Sequence, residues 1–132
     1  KIRSRQLEAK PNSLSGKTDC YQPREKKLKI TRHVLETFLK YKHPVGIITK
    51  NALLQREMEI VRELVDDDLV SVTLSVTSIS EETIRILEPR TASIKKRLET
   101  IEILSRNNIQ VNVMMAPIIP AINSQEIMSL AK

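Results

Sequence analysis

Apolar residues along the chain switch between two spacings, and each switch marks a change of secondary structure. From Arg24 to about Tyr41, Leu28, Val34, Leu35, Phe38 and Leu39 recur three, four and seven apart, with Lys26, Lys27, Arg32 and Glu36 on the other face, which predicts an amphipathic helix. Val45 to Thr49 (VGIIT) is a short, β-branched apolar run after His43-Pro44, the pattern of a buried parallel strand. Helical spacing returns through Leu54, Met58, Val61, Leu64 and Val65, and Asp66-Asp67-Asp68 ends it, because negative charge at a helix C-terminus opposes the macrodipole. Leu69 to Val76 predicts a further strand. Ser80 to Leu87 predicts a short helix capped by Ser80, interrupted at Glu88-Pro89-Arg90. Ser93 to Asn107 predicts a longer helix with Ile94, Leu98, Ile101 and Leu104 inward, stopped at Asn107-Asn108. Val111 to Met115 is a clear strand, closed by Pro117 and Pro120, and Ser124 starts a last helix.

A weaker strand is expected over Asn12 to Gly16, and the polar, basic residues 1–11 read as a lead-in. The order β-α-β-α-β-α-β-α predicts an α/β fold of parallel β/α repeats with right-handed crossovers, a single domain whose repeats occupy residues 12–132. In such sheets ligands gather at the carboxyl ends of the strands. The segments to inspect are therefore Ser15 to Gln22, Thr49 to Asn51, Ser75 to Ser78 and Ala116 to Asn123.

Each segment offers chemistry with an ordinary structural alternative. Asp19 and Gln22 are suited to an amino or amide group of a ligand, with Glu25 orienting them; equally, Thr18 and Asp19 suit the cap of the following helix. Lys50 follows an apolar strand and can reach a carboxylate or phosphate, or be a solvated lysine. Ser75, Thr77 and Ser78 present small hydroxyls that suit a ribose or carboxylate. Arg97, three residues after Ile94, falls on the inward helix stripe and needs a partner: a ligand carboxylate, Glu88 or a strand-end carbonyl. Arg90 has the same two readings.

Composition narrows the classes. The 132 residues include one Phe, two Tyr and no Trp, so the core is aliphatic and an aromatic nucleic-acid platform is missing. Net charge is +6, and residues 1–50 hold 13 Lys and Arg against 4 Asp and Glu, a balance that fits either a polyanion partner or a solvated surface. One cysteine, Cys20, cannot form an internal disulfide framework or a multi-cysteine metal site, and a reducing, cytoplasmic setting is expected. His33 and His43 lack neighbouring ligands at metal spacing. With only Gly16 and Gly46, no glycine-rich phosphate cradle is expected. No apolar run suggests a membrane span. The chain starts without Met and stops inside an apparent helix, which suggests a central piece of a longer protein.

Five blocks, TDCYQPRE (Thr18 to Glu25), TRHVLE (Thr31 to Glu36), HPVGIITKN (His43 to Asn51), EPRTASIKKRLETI (Glu88 to Ile101) and MMAPIIPAIN (Met114 to Asn123), resemble in order the radical S-adenosylmethionine (radical SAM) proteins related to spore photoproduct lyase, often labelled DNA repair photolyase. The resemblance implies a partial (β/α)6 TIM-like barrel, a [4Fe-4S] cluster on a CxxxCxxC motif and reductive cleavage of SAM to a 5'-deoxyadenosyl radical. That motif belongs upstream of Lys1 and is absent, so the fragment alone is expected to bind no cluster and to be inactive as a lyase or oxidoreductase. By matching blocks, Ser15, Gly16, Thr18 and Asp19 are expected near the SAM amino group. Lys50, Ser75 and Arg97 are expected at its carboxylate or ribose, and Ala116, Pro117 and Ile118 in the adenine wall. A nucleic-acid substrate is implied by the family label alone. The alternative is a catalytically silent α/β module that binds a small anion at the same strand ends. Open sheet edges are expected to be covered by self-association or by segments outside the chain.

Overall fold

The computed structural model describes residues 10–131; most of the basic lead-in, residues 1–9, lies outside them, as does Lys132. Four strands, β1 (Asn12–Leu14), β2 (Val45–Thr49), β3 (Val70–Ser75) and β4 (Val111–Met114), form one sheet in the order β1-β2-β3-β4. All three pairings are parallel, with Leu14 beside Ile47, Thr49 beside Leu74 and Ser75 beside Met114. Strand order equal to chain order, with a helical crossover each time, is the construction of a curving β/α barrel wall.

The crossovers are α1 (Glu25–Leu28) and α2 (Ile30–Lys40), then a 3₁₀ helix Ala52–Glu57 running into α3 (Met58–Asp66), then α4 (Glu81–Leu87) and α5 (Ile94–Arg106). A 3₁₀ turn, Ser124–Glu126, leads into α6 (Ile127–Leu130). Among the described residues no helix is long and apolar enough to cross a membrane. The core lies between the sheet and the helices: Val45, Ile47, Val72 and Leu74 from the strands meet Leu35, Leu54, Val61, Leu64 and Leu104 from the helices. Burying each such side chain contributes roughly 1.5–3 kcal/mol.

Two expectations need correction here. The single helix expected over Arg24 to Tyr41 is broken at Lys29, which adopts a left-handed conformation (φ 51°) and closes α1 before α2 begins. Leu28, expected inward, is consequently exposed. On α5 the buried stripe runs through Arg97, Thr100 and Leu104, so Leu98 points outward at 44% exposure and is not a core residue. The stops are those the sequence implies: Asp68 and Asn108, side chains that tolerate the left-handed region, turn the chain at φ 56° and 58°.

Candidate functional site

Strand alternation gives the sheet two chemically different faces. On β2 and β3 the positions turned to the helices are Val45, Ile47, Thr49, Val72 and Leu74, all buried. The opposite, concave face carries Gly46 and Ile48 of β2, continued by Lys50, together with Ser71, Thr73 and Ser75 of β3 and Asn112 and Met114 of β4. A face this rich in hydroxyls and amides suits a wet, ligand-lined interior.

Its carboxyl-terminal end opens into a cavity of about 370 Å³ lined by Ser15, Thr18, Asp19, Lys50, Ser75 and Met114. An adjoining cavity of about 320 Å³ continues from Asp19 and Lys50 to Gln22, Asn51 and the exposed Arg90. The sequence-predicted residues Ser15, Thr18, Asp19, Lys50 and Ser75 therefore share one mouth. Gly16 is exposed in the same turn, where a Cβ would meet nothing within 4 Å, so no close approach demands a glycine there.

Asp19 fastens the first loop to the second strand. Its Oδ1 accepts from Tyr21 N (2.9 Å) and Thr49 Oγ1 (2.7 Å), and its Oδ2 from Lys50 N (2.7 Å). It is not the cap of α1, whose N-cap position is Arg24. Ser15 Oγ accepts from Cys20 N at 2.9 Å and tightens the same loop. The mouth is thus prebuilt by carboxylate and hydroxyl acceptors on backbone donors.

Behind Lys50 lies a buried polar network. The Lys50 ammonium pairs with Glu88 Oε1, which also accepts from Thr77 Oγ1 at 2.6 Å. Glu88 Oε2 accepts from Arg97 Nη2 at 2.8 Å. Burial would raise the Glu88 carboxyl, but the hydrogen bonds from Lys50, Thr77 and Arg97 outweigh it and hold the pKa below the usual carboxylate value. Arg97 is 0% exposed, and besides Glu88 it donates to Ser75 O (3.0 Å), Ala92 O (2.9 Å) and Thr91 Oγ1. Its guanidinium is occupied by protein acceptors and stands behind the mouth. Ser75 Oγ is different: it is buried and has no hydrogen-bond partner.

The loop after β4 is set at the same end. Thr77 Oγ1, whose proton goes to Glu88, lies 3.2 Å from Ala116 O, while Asn123 Nδ2 donates to Thr77 O (2.7 Å) and Pro117 O (2.8 Å), and its Oδ1 accepts from Ile119 N. Glu126 accepts from Ser78 Oγ and Ile79 N, binding the 3₁₀ turn to the end of β3. Ala116, Pro117 and Ile118 are exposed beyond the strand and do not line the cavity. Asn123, buried and making three side-chain hydrogen bonds that hold this loop, is a positioning residue that periodicity does not reveal.

The remaining polar burial holds the helices together. Glu57, 0% exposed, accepts from Arg32 and Arg56. Burial pushes the Cys20 thiol up to about 11, countered in part by the Ser15 hydrogen bond, so it stays protonated at neutral pH. Among the described residues no group of three or more His, Cys, Asp or Glu is placed to hold a metal ion.

Comparison with known proteins agrees with this architecture. An uncharacterized protein of Methanocaldococcus jannaschii is 29% identical over 107 residues, 81% of this chain and 40% of that protein. Uncharacterized proteins of Mycobacterium bovis and Mycobacterium tuberculosis are each 28% identical over 108 residues, 82% of this chain and 32% of theirs. The chain thus spans well under half the length of these curated relatives. No solved structure matches it significantly. The Radical SAM superfamily profile matches residues 9–132, nearly the whole chain, and together with the parallel β/α wall it shows that the chain belongs to the radical SAM superfamily.

Proposed function

We propose that the mouth at the carboxyl ends of β1, β2 and β3 binds the amino-acid part of SAM, within a larger enzyme that uses SAM reductively. The observation that carries this is Ser75 Oγ: a buried hydroxyl without a partner, on a cavity it shares with the Lys50 ammonium. An orphaned buried hydroxyl is unfavourable by roughly 1–3 kcal/mol, and a ligand group that bonds to it removes the penalty. The donor set fits a zwitterion. Lys50 and Ser75 are suited to a carboxylate, the hydroxyls of Ser15 and Thr18 and the carboxylate of Asp19 to an ammonium, and Met114 and Ile48 to the apolar surroundings of a sulfonium.

In this superfamily a [4Fe-4S] cluster supplies the electron that cleaves SAM. The described residues do not fit such a cluster, because Cys20 is alone and its thiol is held protonated. The part of this chain in the reaction is therefore to bind and orient. Asp19 fixes the loop after β1 against β2, Lys50 and Ser75 grip the ligand, and Asn123 fixes the loop after β4 at the same end of the sheet.

The block resemblance to spore photoproduct lyase relatives supports a nucleic-acid substrate and a lyase-type outcome, and the excess of Lys and Arg in residues 1–50 supports it further. A reducing, cytoplasmic setting belongs to the same proposal. The test is SAM titration into the full-length protein under anaerobic conditions. Lys50→Ala and Ser75→Ala are expected to raise the Kd at least about tenfold, each removing a hydrogen bond to a charged group; a Kd unchanged in both variants rejects this site. Duplex DNA binding that weakens steeply with salt is expected alongside, and its absence rejects the nucleic-acid reading only.

A further inference from the structure

The charges behind the mouth form a linear arrangement: Lys50 at the cavity, Glu88 next, Arg97 deepest. Side-chain exposure falls inward, from 33% at Lys50 to 8% at Glu88 and 0% at Arg97. Of these three, Lys50 alone lines the cavity, where Lys17 from the loop after β1 joins it. Its ammonium sits on a flexible four-carbon stem whose free rotation would spread it over many positions. Glu88 removes that freedom, and Glu88 is in turn fixed by Thr77 and Arg97.

Arg97 also donates to the carbonyl of Ser75, which lines the same cavity as Lys50. One buried guanidinium therefore braces two of the groups that line the cavity, the Lys50 cation through Glu88 and the Ser75 hydroxyl through its own backbone. We infer that Glu88 is a positioning residue that aims the Lys50 ammonium at a ligand carboxylate, with Arg97 as the brace that fixes Glu88 and Ser75 relative to each other. This rests on the reading of the mouth as the site for the amino-acid part of SAM. It assigns Arg97 an indirect role in binding in place of direct contact.

The inference separates two ligands. SAM carries the carboxylate; 5'-methylthioadenosine keeps the adenosine and sulfur but lacks the amino-acid part. In full-length protein, Glu88→Gln is expected to weaken SAM binding about tenfold, the scale of one charge-assisted hydrogen bond, while leaving methylthioadenosine binding within about twofold. Lys50→Gln is expected to show the same selective loss, and the double variant no more than the larger single loss, as for residues acting through one another. Should Glu88→Gln not fold, Glu88→Asp keeps the charge and withdraws the carboxylate by one methylene, with the same selective loss expected. Equal weakening of both ligands would mean that Glu88 only supports the fold and would overturn the inference, as would unchanged SAM binding. Failure of the wild-type protein to bind SAM would instead overturn the reading of the mouth itself, and the inference with it.

Discussion

With its guanidinium enclosed, Arg97 leaves four acceptors in need if it is removed: Glu88, Ser75 O, Ala92 O and Thr91. Arg97→Ala is therefore expected to destabilise the chain by about 3–5 kcal/mol, the scale for breaking one side of a buried ion pair, measured by denaturant unfolding. Arg97→Lys is not expected to recover it, since one ammonium cannot replace a planar fork with donors on both sides. Glu88 sets an acid dependence. Its carboxyl is depressed in the folded state, so its stabilisation is full above the ordinary carboxylate pKa and is lost as pH falls through the lower folded value. Unfolding midpoints measured from pH 7 down to pH 3 should fall, and Glu88→Gln should flatten part of that fall. Cys20 behaves oppositely in reactivity: with its thiol raised to about 11, alkylation by iodoacetamide at pH 8 should be at least about tenfold slower in the folded chain than in denaturant.

At the scale of elements, the strands were the most readable part, because short β-branched runs bounded by turn residues leave few alternatives. VGIIT occupies the very positions of β2, Val45–Thr49. The helices were readable in existence and less so in face. Ile94, Leu98, Ile101 and Leu104 suggest one stripe by hydrophobicity, and Arg97, expected on it with Glu88 or a strand-end carbonyl as partner, does turn inward to Glu88 and Ser75 O; what the pattern did not show is that Thr100 also turns inward, to Gln55, and that Leu98 faces out. Polar contacts between residues far apart in sequence leave no periodic trace. Glu57 is the instructive exception: it falls on the stripe of Leu54, Val61 and Leu64, and a charge at such a position signals a buried pair, here with Arg32 and Arg56. The break at Lys29 carried no signal, since lysine is not a customary left-handed residue. Lys29→Gly should relieve that conformation and raise stability by roughly 1 kcal/mol, read from the unfolding midpoint; a loss of stability would show that the αL geometry is not strained.

For the whole molecule, the common mouth of Asp19, Lys50 and Ser75 was legible from topology alone, since strand-end loops of parallel repeats must converge. What topology could not supply was the depth order behind it. Within the described residues β1 and β4 are the edges of the sheet, and β4 exposes Val113 and Met114. The chain taken alone is expected to self-associate through such an edge, seen as a concentration-dependent sedimentation coefficient, and Val113→Lys should suppress it.

The unbroken register across β2, β3 and β4 acts as a ruler. Ser75 and Met114 are register partners, Lys50 directly follows Thr49, the partner of Leu74, and the spacing between neighbouring strands, about 4.8 Å, is a property of the backbone that side chains cannot adjust. An occupant that stretches from the ammonium to the hydroxyl to the thioether is thereby measured in fixed steps. Homologues of the ligand one methylene longer or shorter should be discriminated by length, even where every functional group is the same.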